Sequence, residues 1–173
     1  MITIRSDDFD FRMPLEAYVD VHQKFIDRGL TETAVIQFTS DGNEPDWGKK
    51  QDIIDYLNTA PNWDIQLHGW SHAAYNEMTQ TEIADDLQKS MDMSMKIFGK
   101  YMDVWYPPRN CISDDMEYVA DAFGLTIDNE SYDIERFIRE KDHYKGHSFY
   151  FHTWRKPEVD LLDEALDIAK ELK

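Results

Sequence analysis

The chain has 173 residues, of which 42% are hydrophobic and 13% aromatic; this argues against a disordered segment and predicts one compact domain with a hydrophobic core. Its 35 acidic residues outnumber the 18 basic ones, and the formal net charge of −17 argues against a nucleic-acid backbone or an anionic membrane surface as a partner. A neutral or cationic substrate is compatible with this charge. The single cysteine, Cys111, leaves no possibility of an internal disulfide.

The N-terminal segment lacks the pattern of a signal peptide. Met1 leads directly into a strand-like run, without a basic segment, a long apolar stretch or a small-residue cleavage site. No later window is apolar enough to span a membrane. We therefore expect a cytoplasmic protein, and a short chain of this kind also fits a phage-encoded enzyme.

Hydrophobic residues recur at spacings that alternate between those of strands and those of helices. The first strand begins near Ile2 and ends in two adjacent carboxylates, Asp7 and Asp8. Thr79 and Glu82 match a capping box at the start of the longest helix. The elements predicted after the first strand are a helix over 14–28, a strand over 33–39 with a turn-rich loop over 40–45, a helix over about 49–57, a strand over 63–67, a helix over 79–98, a strand over 102–106, a helix over 113–123, a strand over 125–127, a helix over about 132–141, a strand over 148–151 and a helix over about 157–172.

This alternation predicts right-handed β-α-β units and a parallel sheet, either open or curled into a barrel, in a fold of the α/β class. In such folds the reactive groups gather at the carboxyl ends of the strands. The predicted strands deliver to those ends Asp7, Asp8, His68, Pro107, Pro108, Asp128 and His152. We therefore expect the functional site at that edge of the sheet.

Two histidines, His68 and His72, lie four positions apart directly after a predicted strand. At this spacing both imidazoles can turn toward one cation. A carboxylate from Asp7 or Asp8 would complete a set of two histidines and one carboxylate, which leaves open positions on a divalent metal, as in catalytic zinc sites. The alternative is that both are ordinary core or surface residues, since the chain has six histidines.

Taken together, these motifs resemble those of polysaccharide deacetylases of the NodB-homology type, carbohydrate esterase family 4. The family's Thr-Phe-Asp-Asp-Gly motif corresponds to residues 5–9, and its His-Ser/Thr-x-x-His motif to residues 68–72. Its Arg-x-Pro-aromatic motif corresponds to residues 106–109, and its late Leu-x-His motif to residues 149–152. The resemblance implies a single catalytic domain over 1–173 with a distorted or incomplete (β/α) barrel of about six to seven mostly parallel strands.

The resemblance also implies roles for individual residues. The metal ligands would be Asp8, His68 and His72, with zinc as the favoured ion and cobalt or nickel as alternatives. Asp7 would act as general base, His152 as general acid, and the backbone N–H of Arg109 would stabilise the negative charge of the tetrahedral intermediate.

Several residues beside these motifs are candidates for substrate contact, because flat apolar surfaces suit the faces of sugar rings. These candidates, of which we expect one or two to function, are Trp70, Trp105, Tyr106, Pro108 and Trp154. The remaining histidines, His22, His143 and His147, have no partner motif, and we expect them to be solvated.

The chain departs from the family pattern at several positions, among them Gly69 in place of the hydroxyl residue after His68, and Phe9 in place of glycine. Tyr106 stands where the family places the arginine that steadies the catalytic aspartate, and Arg5, Arg109 and Arg155 are the candidates to replace its charge. The family's fourth motif, Asp-Trp, has no clear counterpart, and Asp128 is a loose candidate for its aspartate.

The function implied is a metal-dependent hydrolase that removes an N-acetyl group from an amino-sugar-containing saccharide or another N-acetylated small molecule. One alternative is a metal-dependent amidase or imidase acting on a small non-sugar amide, since the altered third motif could reshape the pocket. Another is a non-catalytic saccharide-binding pseudoenzyme. The missing arginine favours this last interpretation, whereas the retention of both aspartates and both histidines opposes it.

Overall fold

The computed structural model describes residues 2–9, 12–39, 50–143 and 148–173. The loop predicted over 40–45 and His147 lie outside the described residues. No helix in the described part of the chain combines the length and the apolar character needed to cross a membrane.

Within the described residues, seven strands form one sheet. They are β1 (Ile4–Phe9), β2 (Glu32–Gln37), β3 (Trp63–Gly69), β4 (Val104–Trp105), β5 (Thr126–Ile127), β6 (Ser131–Asp133) and β7 (Ser148–Phe151). Their order in the sheet is β5-β4-β3-β2-β1-β7-β6, and every neighbouring pair is parallel. The sheet curls into a half-barrel surrounded by helices, which confirms the predicted α/β class and the incomplete barrel.

The helices that flank the sheet are α1 (Leu15–Arg28), α2 (Gln51–Thr59), α3 (Gln80–Phe98), α4 (Asp114–Phe123), α5 (Ile134–Arg139) and α6 (Lys156–Glu171). The predicted capping box of α3 is confirmed: the Glu82 backbone N–H donates to the Thr79 hydroxyl, and the Thr79 N–H donates to the Glu82 carboxylate. Short 3₁₀ turns cover Tyr75–Glu77, Pro108–Asn110 and Lys141–His143.

The structure differs from the prediction over 132–141. Residues Ser131–Asp133 form β6, and the helix begins only at Ile134, with Asp133 as its N-cap. Three residues are too few to show an alternating pattern, and this strand is defined by its pairing with β7. The strand predicted over 102–106 is also shorter, because only Val104 and Trp105 pair with neighbouring strands.

The two faces of the sheet differ in polarity, because successive side chains of a strand point to opposite faces. On the outer face, Ile36, Leu67 and Trp105 pack against α2, α3 and α4. Ile4 and Phe149 pack outward in a second cluster against α1, α5 and α6. The inner face carries buried polar side chains, among them Arg5, Asp7, Gln66 and His68.

The edge strands β5 and β6 lie at opposite ends of the sheet, although only residues 128–130 separate them in sequence. Four Cα steps span at most about 14 Å, so the two edges must curl toward each other. Inside the half-barrel, the Ser131 hydroxyl donates to the Asn110 amide oxygen at 3.2 Å, across the gap between β6 and the turn that follows β4. The polar inner face is therefore enclosed on this side as well.

Candidate active site

A β-bulge at the end of β1 places two carboxylates in one site. Between Ser6 and Phe9, β1 contains one more residue than the facing segment of β2. Asp8 takes a left-handed backbone conformation with φ of 53°, which is uncommon for a residue other than glycine. The bulge changes the direction of the Asp8 side chain, so that the carboxylates of Asp7 and Asp8 both reach the site.

Asp8, His68 and His72 converge at the carboxyl ends of β1 and β3. The Asp8 Oδ1 atom lies 3.0 Å from His68 Nε2 and 3.4 Å from His72 Nε2. One ligand atom from each residue lies within 4.8 Å of the others. The predicted histidine pair and one of the two predicted aspartates are therefore brought together.

The hydrogen bonds of His68 indicate which ring nitrogen is available for a ligand. Its Nδ1–H donates to the backbone carbonyl of Tyr106 at 2.7 Å, so the lone pair of Nε2 faces Asp8 Oδ1. Both facing atoms are buried and have no hydrogen-bond partner. Two acceptors at this separation attract only with a cation between them, either a second proton on His68 or a metal ion. The donor set fits a divalent metal, because the bond at Nδ1 is the outer contact that orients metal-binding histidines.

The charges of the cluster also suit a cation. Burial raises the pKa of Asp8, but the close approach and charge of His68, together with the charges of His152 and His72, lower it overall from 3.8 to about 2. Burial lowers the pKa of His72. The charge of Asp8 raises this pKa, whereas the charges of His68 and Arg109 lower it further, and the overall shift is downward. An ionised carboxylate and a neutral imidazole are the metal-binding forms of these side chains.

Asp7 points into the half-barrel and contacts Arg5. Its Oδ2 accepts a hydrogen bond from Arg5 Nη2 at 3.2 Å, while its buried Oδ1 has no hydrogen-bond partner. Among the three arginines considered for the missing charge, Arg5 is the one in contact with Asp7. Arg155 pairs instead with Glu158 at 2.6 Å, and Arg109 lies near His72.

His152 follows β7 and faces the same cluster, with its Nε2 3.7 Å from Asp8 Oδ2. Its Nδ1 and its backbone N–H both donate to Glu158 Oε2, at 2.8 and 2.7 Å. Burial lowers the pKa of His152, but the hydrogen bond to Glu158 and the charges of Asp8, Glu158 and Asp7 outweigh burial and raise it above 6.5. His152 is therefore oriented by Glu158, with Nε2 directed to the site.

Glu158 was not predicted from the sequence. It lies in the first turn of α6, six residues after His152, and its pKa is lowered because the hydrogen bond and charge of His152 outweigh burial. Asp128, the loose candidate for the aspartate of the fourth motif, accepts from the Glu130 backbone N–H, and the described contacts of His152 do not include it. The feature of the sequence that could have identified Glu158 is its position as a carboxylate in the first turn of the helix that follows His152.

The turn after β4 carries an unusual backbone. Arg109 and Asn110 are consecutive residues with φ of 62° and 50°, a conformation that costs energy in residues other than glycine and that clusters at functional sites. Tyr106, at the start of the turn, holds His68 through its carbonyl and bonds Leu67 through its N–H. The turn is thus fixed to β3, which carries His68, with Arg109 exposed beside His72.

The candidates for substrate contact fall into two groups. Trp154 is 47% exposed, with its ring centroid 5.3 Å from that of His152, and Trp70 is half-buried. Trp105, Tyr106 and Pro108 are buried, so the expectation of substrate contact is wrong for them. The Trp105 side chain points to the outer core and its Nε1–H donates to the His68 carbonyl at 2.9 Å, which supports the ligand strand from behind.

The remaining histidines differ from one another. His143 is exposed, as expected, but His22 is completely buried, and its predicted solvation is wrong. Its Nδ1 shares a hydrogen bond with Glu32 at 2.9 Å, and its Nε2–H donates to the Pro61 carbonyl at 2.8 Å. Its ring stacks on Trp63 with a centroid distance of 3.7 Å. His22 lies on the outer side of the sheet, away from the site.

A groove of about 260 Å³ lies beside His152. It is lined by Asp133, Ile134, Glu135, Tyr150, Arg155 and Glu158. The groove provides space for part of a ligand next to the general-acid candidate.

Comparisons with known proteins agree with this arrangement. A family model described as Polysaccharide deacetylase matches residues 31–127, more than half of the chain. This segment contains the histidine pair, whereas Asp7, Asp8 and His152 lie outside it. A search of curated proteins gave no significant match.

Solved structures share the fold at low sequence identity. A CE4 family pseudoenzyme from Bacillus anthracis superposes with a TM-score of 0.77 at 17% identity, over 99% of this chain and 61% of the other. A family 4 carbohydrate esterase from Streptomyces lividans, solved with acetate, gives 0.78 at 12% identity over 99% and 88% of the two chains. The peptidoglycan deacetylase PdaC from Bacillus subtilis gives 0.74 at 14% identity over 99% and 84%. The chain thus spans less than two thirds of the pseudoenzyme and most of the other two.

The half-barrel, the converging aspartates and histidines, and the family match over more than half of the residues lead to one assignment. The chain belongs to the polysaccharide deacetylase family.

Proposed function

We propose that this protein is a metal-dependent hydrolase that removes an N-acetyl group from an amino-sugar-containing saccharide. The observation that carries the proposal is the pair of buried, unpartnered acceptor atoms, His68 Nε2 and Asp8 Oδ1, which face each other at 3.0 Å. A carboxylate and an imidazole suited to proton transfer, Asp7 and His152, lie beside this pair.

Asp8, His68 and His72 would hold the metal. Zinc is the first candidate for two histidines and one carboxylate, and cobalt or nickel accept the same donors. When bound, such an ion lowers the pKa of water to roughly 7 and polarises an acyl oxygen.

Asp7 would take the proton of the attacking water. Its Oδ2 is held by Arg5, so its unpartnered Oδ1 is the atom available to accept that proton. A new bond then joins the water oxygen to the acyl carbon. The backbone N–H of Arg109, in the strained turn, is the candidate to donate to the developing oxyanion, because the N–H of Asn110 already donates to the Pro107 carbonyl.

His152 would return a proton to the leaving amine through Nε2 while the C–N bond breaks, which gives acetate and a free amine. Glu158 holds Nδ1 and leaves Nε2 directed to the site. The exposed indole of Trp154 beside His152 offers an apolar surface to a sugar ring, and the adjoining groove offers space for a neighbouring unit.

The first experiment measures metal content by elemental analysis in protein purified without chelator. We expect near-stoichiometric metal in the wild type and in His143→Ala, which removes an exposed imidazole away from the cluster, and loss of metal in Asp8→Ala and His72→Ala. Acetate release from chito-oligosaccharides and peptidoglycan fragments is then measured with zinc, cobalt or nickel. A wild type that binds none of these metals after reconstitution, or that binds metal and releases no acetate, contradicts the proposal.

A saccharide-binding pseudoenzyme is the second candidate, and the fold shared with a CE4 family pseudoenzyme favours it. Tyr106 at the position of the supporting arginine is a further point in its favour. Saccharide binding that chelation leaves unchanged, with no hydrolysis in any of the three metals, would support it. Hydrolysis of non-sugar amides or cyclic imides without activity on saccharides would instead support the amidase or imidase alternative.

A further inference from the structure

Arg5 is a buried cation on the inner face of β1. Its side chain has no exposed surface, although burying a guanidinium group is costly without compensating partners. Its Nη2 lies 3.2 Å from Asp7 Oδ2, 3.2 Å from Asn110 Oδ1 and 3.0 Å from Ser131 Oγ. These contacts come from β1 itself, from the turn after β4 and from β6, so the guanidinium is fixed from three sides.

Two aromatic rings hold the plane of the same guanidinium. The Arg5 Cζ atom lies 4.5 Å from the Tyr106 ring centroid and 5.5 Å from that of Tyr150. Cation–π contact favours a buried cation at these distances. Tyr106 is 4% exposed, so its ring serves this contact and not a ligand.

The ion pair between Arg5 and Asp7 distinguishes Asp7 from Asp8. Among the described contacts of Arg5, none involves Asp8, His68 or His72. Its charge therefore acts on Asp7, whose Oδ2 it holds while Oδ1 stays unpartnered.

We propose that Arg5 is the positioning residue of Asp7 and that Tyr106, at the place of the family's supporting arginine, is its stacking partner. In this chain the supporting cation thus comes from β1, two residues before the aspartate that it holds. This inference rests on the proposed function, since Asp7 is placed there as the general base.

Removal of the cation tests the role directly. In Arg5→Thr and in Arg5→Met, which fills more of the vacated volume, we expect kcat for acetate release to fall roughly 100-fold, because the general base loses its orientation. We expect KM and metal content to stay close to those of the wild type. Arg5→Lys keeps the charge but lacks the planar fork, and should retain an intermediate kcat.

Relocation of the cation is the sharper test. The double variant Arg5→Thr/Tyr106→Arg places threonine and arginine at the positions where the family pattern has them. We expect it to recover at least about ten-fold of the kcat lost in Arg5→Thr, because the side chain at 106 already packs against the guanidinium that holds this carboxylate. Tyr106→Arg alone brings two cations together and should lower the unfolding temperature without raising kcat.

The inference is overturned if Arg5→Thr and Arg5→Met keep the wild-type kcat, if they lose the metal, or if the double variant is no better than Arg5→Thr. A wild type that binds metal but releases no acetate contradicts the proposed function instead. In that case crystal structures decide: an Asp7 carboxylate that moves in Arg5→Thr and returns in the double variant supports the inference, and one that never moves overturns it.

Discussion

Two buried pairs of ionisable side chains lie on opposite faces of the sheet and differ in how completely their polar atoms are bonded. On the inner face, Arg5 and Asp7 leave Arg5 Nε, Arg5 Nη1 and Asp7 Oδ1 without partners. On the outer face, His22 bonds through both ring nitrogens, to Glu32 and to Pro61, and no buried side-chain atom of His22 or Glu32 is left unpartnered.

This contrast indicates which pair serves folding and which serves function. An unpartnered buried polar atom costs free energy unless a water or a ligand completes it. The outer pair is complete within the protein, as a structural element should be. The inner pair is not complete within the protein, and we therefore propose that it serves function.

The largest expected effect is on catalysis in Asp7→Asn. This change removes the proton acceptor but keeps the shape of the side chain, so kcat for acetate release should fall by roughly 10³-fold. Metal content should change little, whereas the loss of the ion pair with Arg5 should lower the unfolding temperature of a protein that still folds. If Asp7→Asn keeps its activity, or if it unfolds and loses activity together, the inner pair is structural and the contrast fails.

The next effect is on stability in His22→Ala. Removal of one partner leaves the buried Glu32 carboxyl uncompensated, so we expect the free energy of unfolding in urea to fall by about 3 kcal/mol. The kcat of the folded fraction should equal that of the wild type. If fully folded His22→Ala has a lower kcat than the wild type, the pair of His22 and Glu32 contributes to activity and the contrast fails.

A smaller effect is expected in Glu158→Gln. The amide still occupies the site but no longer orients His152 as a charged acceptor, and kcat should fall by about ten-fold, as for other partners that orient a functional histidine. Glu158→Asp should recover part of the loss. Glu164→Gln, an exposed change on the same helix, serves as the control and should leave kcat unchanged.

The smallest effect concerns pH, and the two faces should respond with opposite signs. Burial raises the pKa of Glu32, so the folded state holds its proton more tightly than the unfolded chain, and this contribution to stability declines as pH rises above about 4.5. Asp8 in metal-free protein has a lowered pKa, so its contribution is present above 3.8 and is lost as pH falls toward about 2.

Urea unfolding as a function of pH measures the contributions of Glu32 and Asp8 to the free energy of unfolding. Above pH 4.5, the wild type should lose stability relative to Glu32→Gln, which cannot ionise at this position. Below pH 3.8, metal-free wild type should lose stability relative to Asp8→Asn. If the free energy of unfolding depends on pH in the same way in the wild type and in one of these variants, the prediction for the residue changed in that variant is wrong.

Local patterns were sufficient to predict most of the fold. The alternation of β2 and β3, the capping box of α3 and the glycines that end helices are each defined within a few neighbouring residues. The histidine pair was also predictable, because both ligands belong to one short segment. By contrast, β6 is defined by its pairing with β7, which no local pattern contains.

The parts of the site that were missed or misjudged depend on which face a side chain occupies. Trp105 and Tyr106 are adjacent on an extended segment, so their side chains point to opposite faces and could not both contact a substrate. His22 follows Tyr18 by four residues on an apolar helix face, a spacing that favours burial. The contacts of Arg5 with Asp7 and of Glu158 with His152 required the folded chain, because several arginines and acidic residues were equivalent candidates in the sequence.

The central position of β1, between β2 and β7, determines when each part of the site can form. The residues proposed as metal ligands all occur within the first 72 positions, on strands that β2 brings together. His152 reaches Asp8 only after β7 has paired with β1, a contact between segments more than 140 positions apart, and such pairings form slowly. During synthesis, the residues proposed as metal ligands therefore emerge long before His152, the residue proposed to protonate the leaving amine.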